Sequence, residues 1–398
     1  MKAKEIFAKI KAEQNEAISS LSLIPSENLL SKKAIEMFSL RNYNKYILPL
    51  KFRDKTYMPG RERLEEIVNI TKEKLCSQYG MKYVLLESLS GLNLMDIILS
   101  SMRFMFKNLI LLDPFSGGHS SSAELAKKYK YKYNFIDIVE NNFDIDYVEL
   151  DKYIKNIGDE KTLIYLDHTV VLKPIDIKKL IKKIPQTWAV YYDISHLQLF
   201  YFTHIYQFPK SKNFFFGGST HKSFPGPQKA IALFNNKALY QLVKKEIYFS
   251  LSSIHIGDIF ALLITIMEME KFGKQYARGI LKKSQLFAKT LNECLNVIGP
   301  TPDLTYTHQV CVEVEDEKKV TRDLARIGII TTPMRIPIIK KKGLRLGLQE
   351  LCRLGITDNE VKTLSKIIIK CILNGPSNIL KKEIKRIAMR HQKIKYGL

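Results

Sequence analysis

GGSTHKSFPGP, residues 217–227, is the stretch on which the reading of this 398-residue chain turns. It is rich in Gly, Ser, Thr and Pro, carries Lys222 directly after His221, and lies between apolar runs at 213–216 and 230–234. Working upstream, further short apolar runs fall at 83–86, 109–112, 162–166 and 188–192. Helical patterns over about 61–79, 92–106, 123–129 and 177–184 separate them. This βα alternation predicts a doubly wound, mainly parallel sheet, because strands buried on both faces read as unbroken apolar runs. Downstream of residue 239 the pattern changes. A long helix is predicted over 257–295, followed by the break GPTP at 299–302, the strand-like HQVCVEV at 308–314, and a helix over 358–373. That segment reads as a smaller α+β lobe.

Composition bounds what such a chain can do. Apolar residues make up 45% and charged ones 26%, which is the balance of a globular protein and not of a disordered one. Lys and Arg outnumber Asp and Glu by 63 to 40, a formal charge of +23. A polyanion-binding surface needs those cations clustered, usually with aromatics that stack on bases. Here the excess is mostly Lys spread along the chain, and the one concentration is 379–398, with seven basic residues and one acid. Nucleic acid is therefore not the expected partner, and a non-catalytic basic binding protein stands as the alternative class. Cys76, Cys294, Cys311, Cys352 and Cys371 show no CxxC spacing, so neither a disulfide framework nor a metal site is expected, and the expected compartment is the reducing cytoplasm. The longest apolar stretch, 260–267, is less than half of the roughly 20 residues a bilayer span requires, so no membrane association is expected. The first twenty residues lack the apolar core of a secretory signal and suit an amphipathic helix with Ile6, Phe7, Ile10 and Ile18 on its apolar positions.

The chemistry-bearing residues gather at strand ends. Asp193 closes the run WAVYYD and is followed three residues later by His196. An acid at the C-terminal end of a parallel strand points into the crevice where open α/β sheets bind ligands. A lysine in the next such turn could form a Schiff base while the acid pairs with a pyridinium nitrogen. That is the pairing pyridoxal 5'-phosphate (PLP) needs for its ring to act as an electron sink. Taken singly, Asp193 could equally be a capping acid and Lys222 a surface lysine.

Several motifs in one order favour the first alternative. LSLIPSENLLSKKAIE (21–36), NKY (44–46), SLSGLN (88–93), GGH (117–119), DISH (193–196), THKSFPGP (220–227) and GLRLG (343–347) together resemble serine hydroxymethyltransferase over nearly the whole chain. The resemblance implies PLP-dependent transferase fold type I, with a mainly parallel seven-stranded sheet in a large domain and a small α+β C-terminal domain. It implies an N-terminal helical arm over 1–40, a large PLP-binding domain over 41–275 and a small domain over 276–398. It also implies a homodimer with shared active sites. By the same resemblance Lys222 would hold PLP as a Schiff base, Asp193 would bond the ring nitrogen and His119 would stack on the ring. His196 and His168 would lie on the phenolate side, and Ser88 and Ser90 would hold the phosphate at a helix N-terminus. Thr220 and His221 would line the site. Tyr46, Ser252 and Ser253 would reach the phosphate of the partner subunit. Arg345 would clamp the carboxylate of an amino-acid substrate, with Tyr46 and Tyr57 as further substrate contacts.

The departures are as informative. Two residues after its Asn-Lys-Tyr the family carries a glutamate; here that place is Leu48, and no acid follows before Asp54. The family's Tyr-Tyr-Gly-Gly is reduced to TYMPG, keeping Tyr57. Its folate-contacting asparagine falls near Met334, the loop between Pro337 and Gly343 is shortened, and the phosphate-loop glutamine near Gly91 is missing. These losses remove the folate half of the site and leave the PLP half. The expected activity is folate-independent aldol, retro-aldol or transaldolase-type chemistry on a β-hydroxy amino acid or glycine. Decarboxylation, transamination, racemisation and true folate-dependent hydroxymethyl transfer are the alternatives.

Overall fold

The computed structural model describes residues 2–47 and 59–398. The described chain divides into two compact units, one of residues 28–277 with 397–398 and one of residues 1–27 with 278–396. The division falls inside a single long helix, Ile256–Asn292.

The larger unit is built on one seven-stranded sheet. Its strands are β1 (Tyr83–Leu85), β2 (Asn108–Leu112), β3 (Lys132–Ile136), β4 (Thr162–Leu166), β5 (Ala189–Asp193), β6 (Phe214–Ser219) and β7 (Ala230–Phe234). In space they run β1-β7-β6-β5-β4-β2-β3. Pairing is parallel from β6 through β3, and β7 alone runs against its two neighbours. Six of the strands coincide with the apolar runs. The seventh, β3, reads KYNFI and has only its last residue buried. As an edge strand it alternates exposed with covered positions, and its sequence never becomes a continuous apolar run.

The sheet is buried on both faces, which is why its central strands are mostly apolar, with Asn108, Thr162 and Asp193 at strand ends. On one face Leu109, Leu111, Leu163, Tyr165, Tyr191 and Phe215 pack with helices α1 (Gly91–Met102), α2 (Ser120–Lys128) and α3 (Lys237–Ser250). On the other, Phe216 and Phe202 meet the Tyr79 ring edge-on, with centroids 5.4 and 5.7 Å apart. The parallel order brings the C-terminal ends of β4, β5 and β6 side by side. Leu166 stands beside Tyr192, and Asp193 beside Gly217.

The smaller unit carries a four-stranded antiparallel sheet in the order Val297–Ile298, Gln309–Glu313, Lys341–Gly347, Thr332–Ile336. Arg345 sits on its third strand, in register with Cys311 on one side and Thr332 on the other. Leu21–Ser22 adds a short parallel pair with Ile329–Ile330. The basic C-terminal segment is largely a packed helix, Asn378–Arg390, which buries Leu380, Ile384, Ile387 and Ala388.

Candidate active site

Three strand ends and two helix starts of the larger unit place the predicted residues. β6 runs into the turn that holds Lys222. That turn is locked by its own backbone: Thr220 N–H donates to Lys229 O (2.9 Å), Gly226 N–H to Thr220 O (2.7 Å), and the Thr220 hydroxyl to Pro227 O (2.5 Å). Thr220 is fully buried, so its hydroxyl serves the turn. Asn28 grips the same turn, its Nδ2 donating to Lys222 O (2.8 Å) and lying 3.1 Å from the hydroxyl of buried Tyr276. With the backbone fixed at both ends, the Lys222 side chain is directed to Nε2 of His196, 3.5 Å from its Nζ.

Asp193 ends β5, and its Oδ1 accepts from Ser195 N–H at 2.8 Å, while Ser195 Oγ accepts from Ser219 N–H at 2.7 Å. These two bonds tie the DISH turn to the lysine strand. The packing there leaves no room for a side chain on Gly218. A Cβ would lie 2.6 Å from Ser195 N and 2.8 Å from Asp193 Oδ1, and its φ of +143° lies outside what other residues readily adopt.

Ser90 caps α1, its Oγ accepting from Asn93 N–H at 3.2 Å. The N–H groups of Gly91 and Leu92 have no acceptor inside the helix, and with the helix dipole they favour an anion. A Cβ on Gly91 would collide with Ser219 Oγ, so the helix start lies directly on the strand that leads to Lys222. Ser88 is buried one strand-width away, its carbonyl accepting from Ala230 N–H at 3.3 Å. A cavity of about 680 Å³ opens between α1 and α2, lined from Ser90 and Asn93 to Asp96 on α1 and from Ser120 past Glu124 to Lys128 at the end of α2.

His119 caps α2 through Nδ1, which accepts from Ser121 N–H at 3.1 Å, so the neutral ring carries its proton on Nε2. The Gly117 carbonyl accepts from Thr169 N–H (2.8 Å) and Val170 N–H (3.2 Å), which joins the GGH turn to the segment of His168. Burial pushes His168 down to about 3, and burial with the neighbouring Lys222 charge lowers His221 to about 4. Both rings are therefore neutral near pH 7. Elsewhere in the unit, Tyr46 Oη lies 3.3 Å from Ser252 Oγ, and Ser253 follows in the same segment. In the smaller unit, burial lowers the Arg345 guanidinium from its ordinary value, a cost that a bound carboxylate would offset. Leu48, Asp54 and Tyr57 lie outside the described residues.

Four residues escaped the motif reading. Asn28 lies inside the PSEN segment, but a side-chain bond across 194 residues has no local signature. Ser195 is the third residue of DISH, and its bonds likewise leave no trace in the sequence. Lys229 is fully buried, donates to Ile254 O at 3.2 Å beside the Ser252–Ser253 pair, and is lowered to about 8 by burial. Asp167, at the end of β4, is buried with no partner at full hydrogen-bond geometry on either oxygen.

The residues of the larger unit fit PLP. They offer an amine beside an imidazole, a carboxylate at a neighbouring strand end, an open helix N-terminus for a phosphate, and glycines at 91 and 218 that let these turns pack directly on one another. The family model described as serine hydroxymethyltransferase matches residues 1–368. A serine hydroxymethyltransferase of Picrophilus torridus is 28% identical, covering 98% of this chain and 94% of that protein. An L-threonine:uridine-5'-aldehyde transaldolase of an Amycolatopsis species is 26% identical over 91% of this chain and 90% of that protein. The solved structure of an L-threonine transaldolase from Pseudomonas fluorescens, in its internal aldimine state, superposes with a TM-score of 0.91. It is 20% identical and covers 99% of this chain and 93% of that one.

Proposed function

Because this chain belongs to the serine hydroxymethyltransferase family of PLP-dependent enzymes, we propose that it carries out folate-independent, transaldolase-type chemistry at Cα of a β-hydroxy amino acid or glycine. The observation that carries the PLP part is the Lys222–His196 approach beside Asp193 at adjoining strand ends. The folate-independent part is supported by Leu48 and Met334, which stand where the family holds an acid and an amide, and by the transaldolases among the relatives.

Each side chain then has a task. Lys222 would hold the cofactor covalently, and Asp193 would keep a proton on the ring nitrogen. PLP, when bound, supplies the electron sink that stabilises negative charge at Cα. His119 would cover the ring face and exclude water, and His196 and the neutral His168 would serve its phenolate side. The α1 N-terminus with Ser88 and Ser90 receives the phosphate, and Thr220 and His221 complete the wall. GLRLG assigns Arg345 to the substrate carboxylate, where a planar two-pronged donor orients the amino acid. Tyr46, Ser252 and Ser253 reach a second copy of the chain, so the enzyme works as a homodimer; Tyr57 is a further substrate contact. Five free thiols fit a reducing cytoplasm. Leu48 carries no proton, so the substrate hydroxyl must exchange its proton with His119 or water. Loss of a placed acid or base typically costs about 10²–10⁴-fold.

A second reading, true folate-dependent hydroxymethyl transfer, is favoured by the hydroxymethyltransferase relatives at similar identity. The test is product analysis with L-threonine and an added aldehyde, without folate. The expected result is release of acetaldehyde and a new β-hydroxy amino acid built on the added aldehyde. Both that product and the visible cofactor absorbance are lost in Lys222→Ala. A colourless native protein, or no new product, refutes the proposal.

A further inference from the structure

Asp167 is a carboxylate in a place where a charge is hard to keep. It follows β4 directly, and the parallel register that sets Leu166 beside Tyr192 sets Asp167 beside Asp193. It is 3% exposed, and neither oxygen has a partner at full hydrogen-bond geometry, although the Ser122 hydroxyl and the His119 N–H face it. The groups that face it are Asp193 and Tyr191 from β5, Tyr165 from its own strand, and Ser122 with the His119 backbone from α2. None of these is a cation. The Ser122 hydroxyl donates instead to His119 O at 2.7 Å. The Tyr165 and Tyr191 rings stack with centroids 4.7 Å apart, and their hydroxyls are also buried without partners. Two adjoining carboxylates with no counter-ion and little water cannot both ionise. Asp193 is the more exposed of the two and accepts a hydrogen bond from Ser195 N–H, whereas Asp167 is the more deeply buried.

We propose that Asp167 stands beside Asp193 as a protonated carboxylic acid, a positioning residue that keeps a single negative charge at the strand ends facing the cofactor ring. This rests on the reading that Asp193 pairs with the ring nitrogen. Burial foremost, with the Asp193 charge adding to it, outweighs the Ser122 hydroxyl and the His119 and Asp167 N–H groups that favour the ionised form, so the Asp167 carboxyl lies well above its ordinary range. The cluster acts as one unit: an acid and two phenols, all neutral, surround one carboxylate. If Asp167 gave up its proton, the second charge would compete for the proton shared between Asp193 and the ring and disturb the placement of both.

The test compares the wild-type holoenzyme with Asp167→Asn and Asp193→Asn. At neutral pH the wild-type infrared spectrum carries the carbonyl stretch of a protonated carboxylic acid that Asp167→Asn lacks. Asp167→Ala, which removes the carboxyl without overpacking the site, gives the same difference if the asparagine variant does not fold. Asp167→Asn keeps the visible cofactor absorbance and its PLP affinity at neutral pH. On raising the pH, wild-type affinity for PLP falls about tenfold or more, one pK unit of repulsion or above, and Asp167→Asn lacks this fall. A missing carbonyl band, identical alkaline limbs, or a neutral-pH loss of affinity in Asp167→Asn as large as in Asp193→Asn overturns the proposal. Asp193→Asn reports separately on the site: if it binds PLP as tightly as wild type, the role given to Asp193 fails, and the infrared band still decides the state of Asp167.

Discussion

Lys222 and Asp193 were legible as residues because each sits in a motif with a local chemical meaning, a Gly/Pro-rich turn and a strand-terminal acid. Asp167, Lys229 and Asn28 were not, because their significance comes from burial and long-range contact. A buried lysine two residues past a proline reads like any other basic residue in a chain with 63 of them. The buried histidines give a residue-scale prediction. His168 has an ordinary value near 6.5 when unfolded and about 3 when folded, because burial penalises the imidazolium. Between those values the unfolded chain binds a proton that the folded chain refuses. Stability contributed by the neutral ring is therefore complete above about pH 6.5 and declines as the pH falls towards 3. Replacing it by His168→Asn should flatten denaturant-measured stability between pH 6.5 and 4 by on the order of 2 kcal/mol. An unchanged slope would place the acid sensitivity elsewhere.

At the scale of elements, strands buried on both faces declared themselves and the edge strand did not. β4 and β5 are apolar but for Thr162 at the start of one and Asp193 at the end of the other, whereas KYNFI carries Lys and Asn outward and looks like a loop. The helix starts were legible in part. Ser90 is an ordinary capping residue, but His119 caps through an imidazole nitrogen, which propensity does not suggest. The close fit between turns gives the element-scale prediction. Gly218→Ala would drive a Cβ into Ser195 and Asp193 at a positive φ. It should cost about 2–4 kcal/mol in stability, and the cost should appear together with weakened PLP binding, because the same contacts orient Asp193. Urea unfolding and PLP titration of the one variant check both halves. Lost stability with unchanged PLP affinity would separate the turn from the site.

At the scale of the whole molecule, the charge of +23 carried little information about function. The one basic concentration is mostly a helix that buries its apolar face, and His391 there pairs with Glu360 at 2.9 Å. The order of motifs along the chain carried far more, since it anticipated both the seven-stranded sheet and the family. What the family does not fix is whether folate takes part, and that rests on Leu48 and Met334. The most direct measurement is serine turnover at saturating enzyme-bound PLP, with and without tetrahydrofolate. The expected result is a slow rate that tetrahydrofolate does not raise. Acceleration by tetrahydrofolate, with stoichiometric capture of the hydroxymethyl carbon, would contradict it.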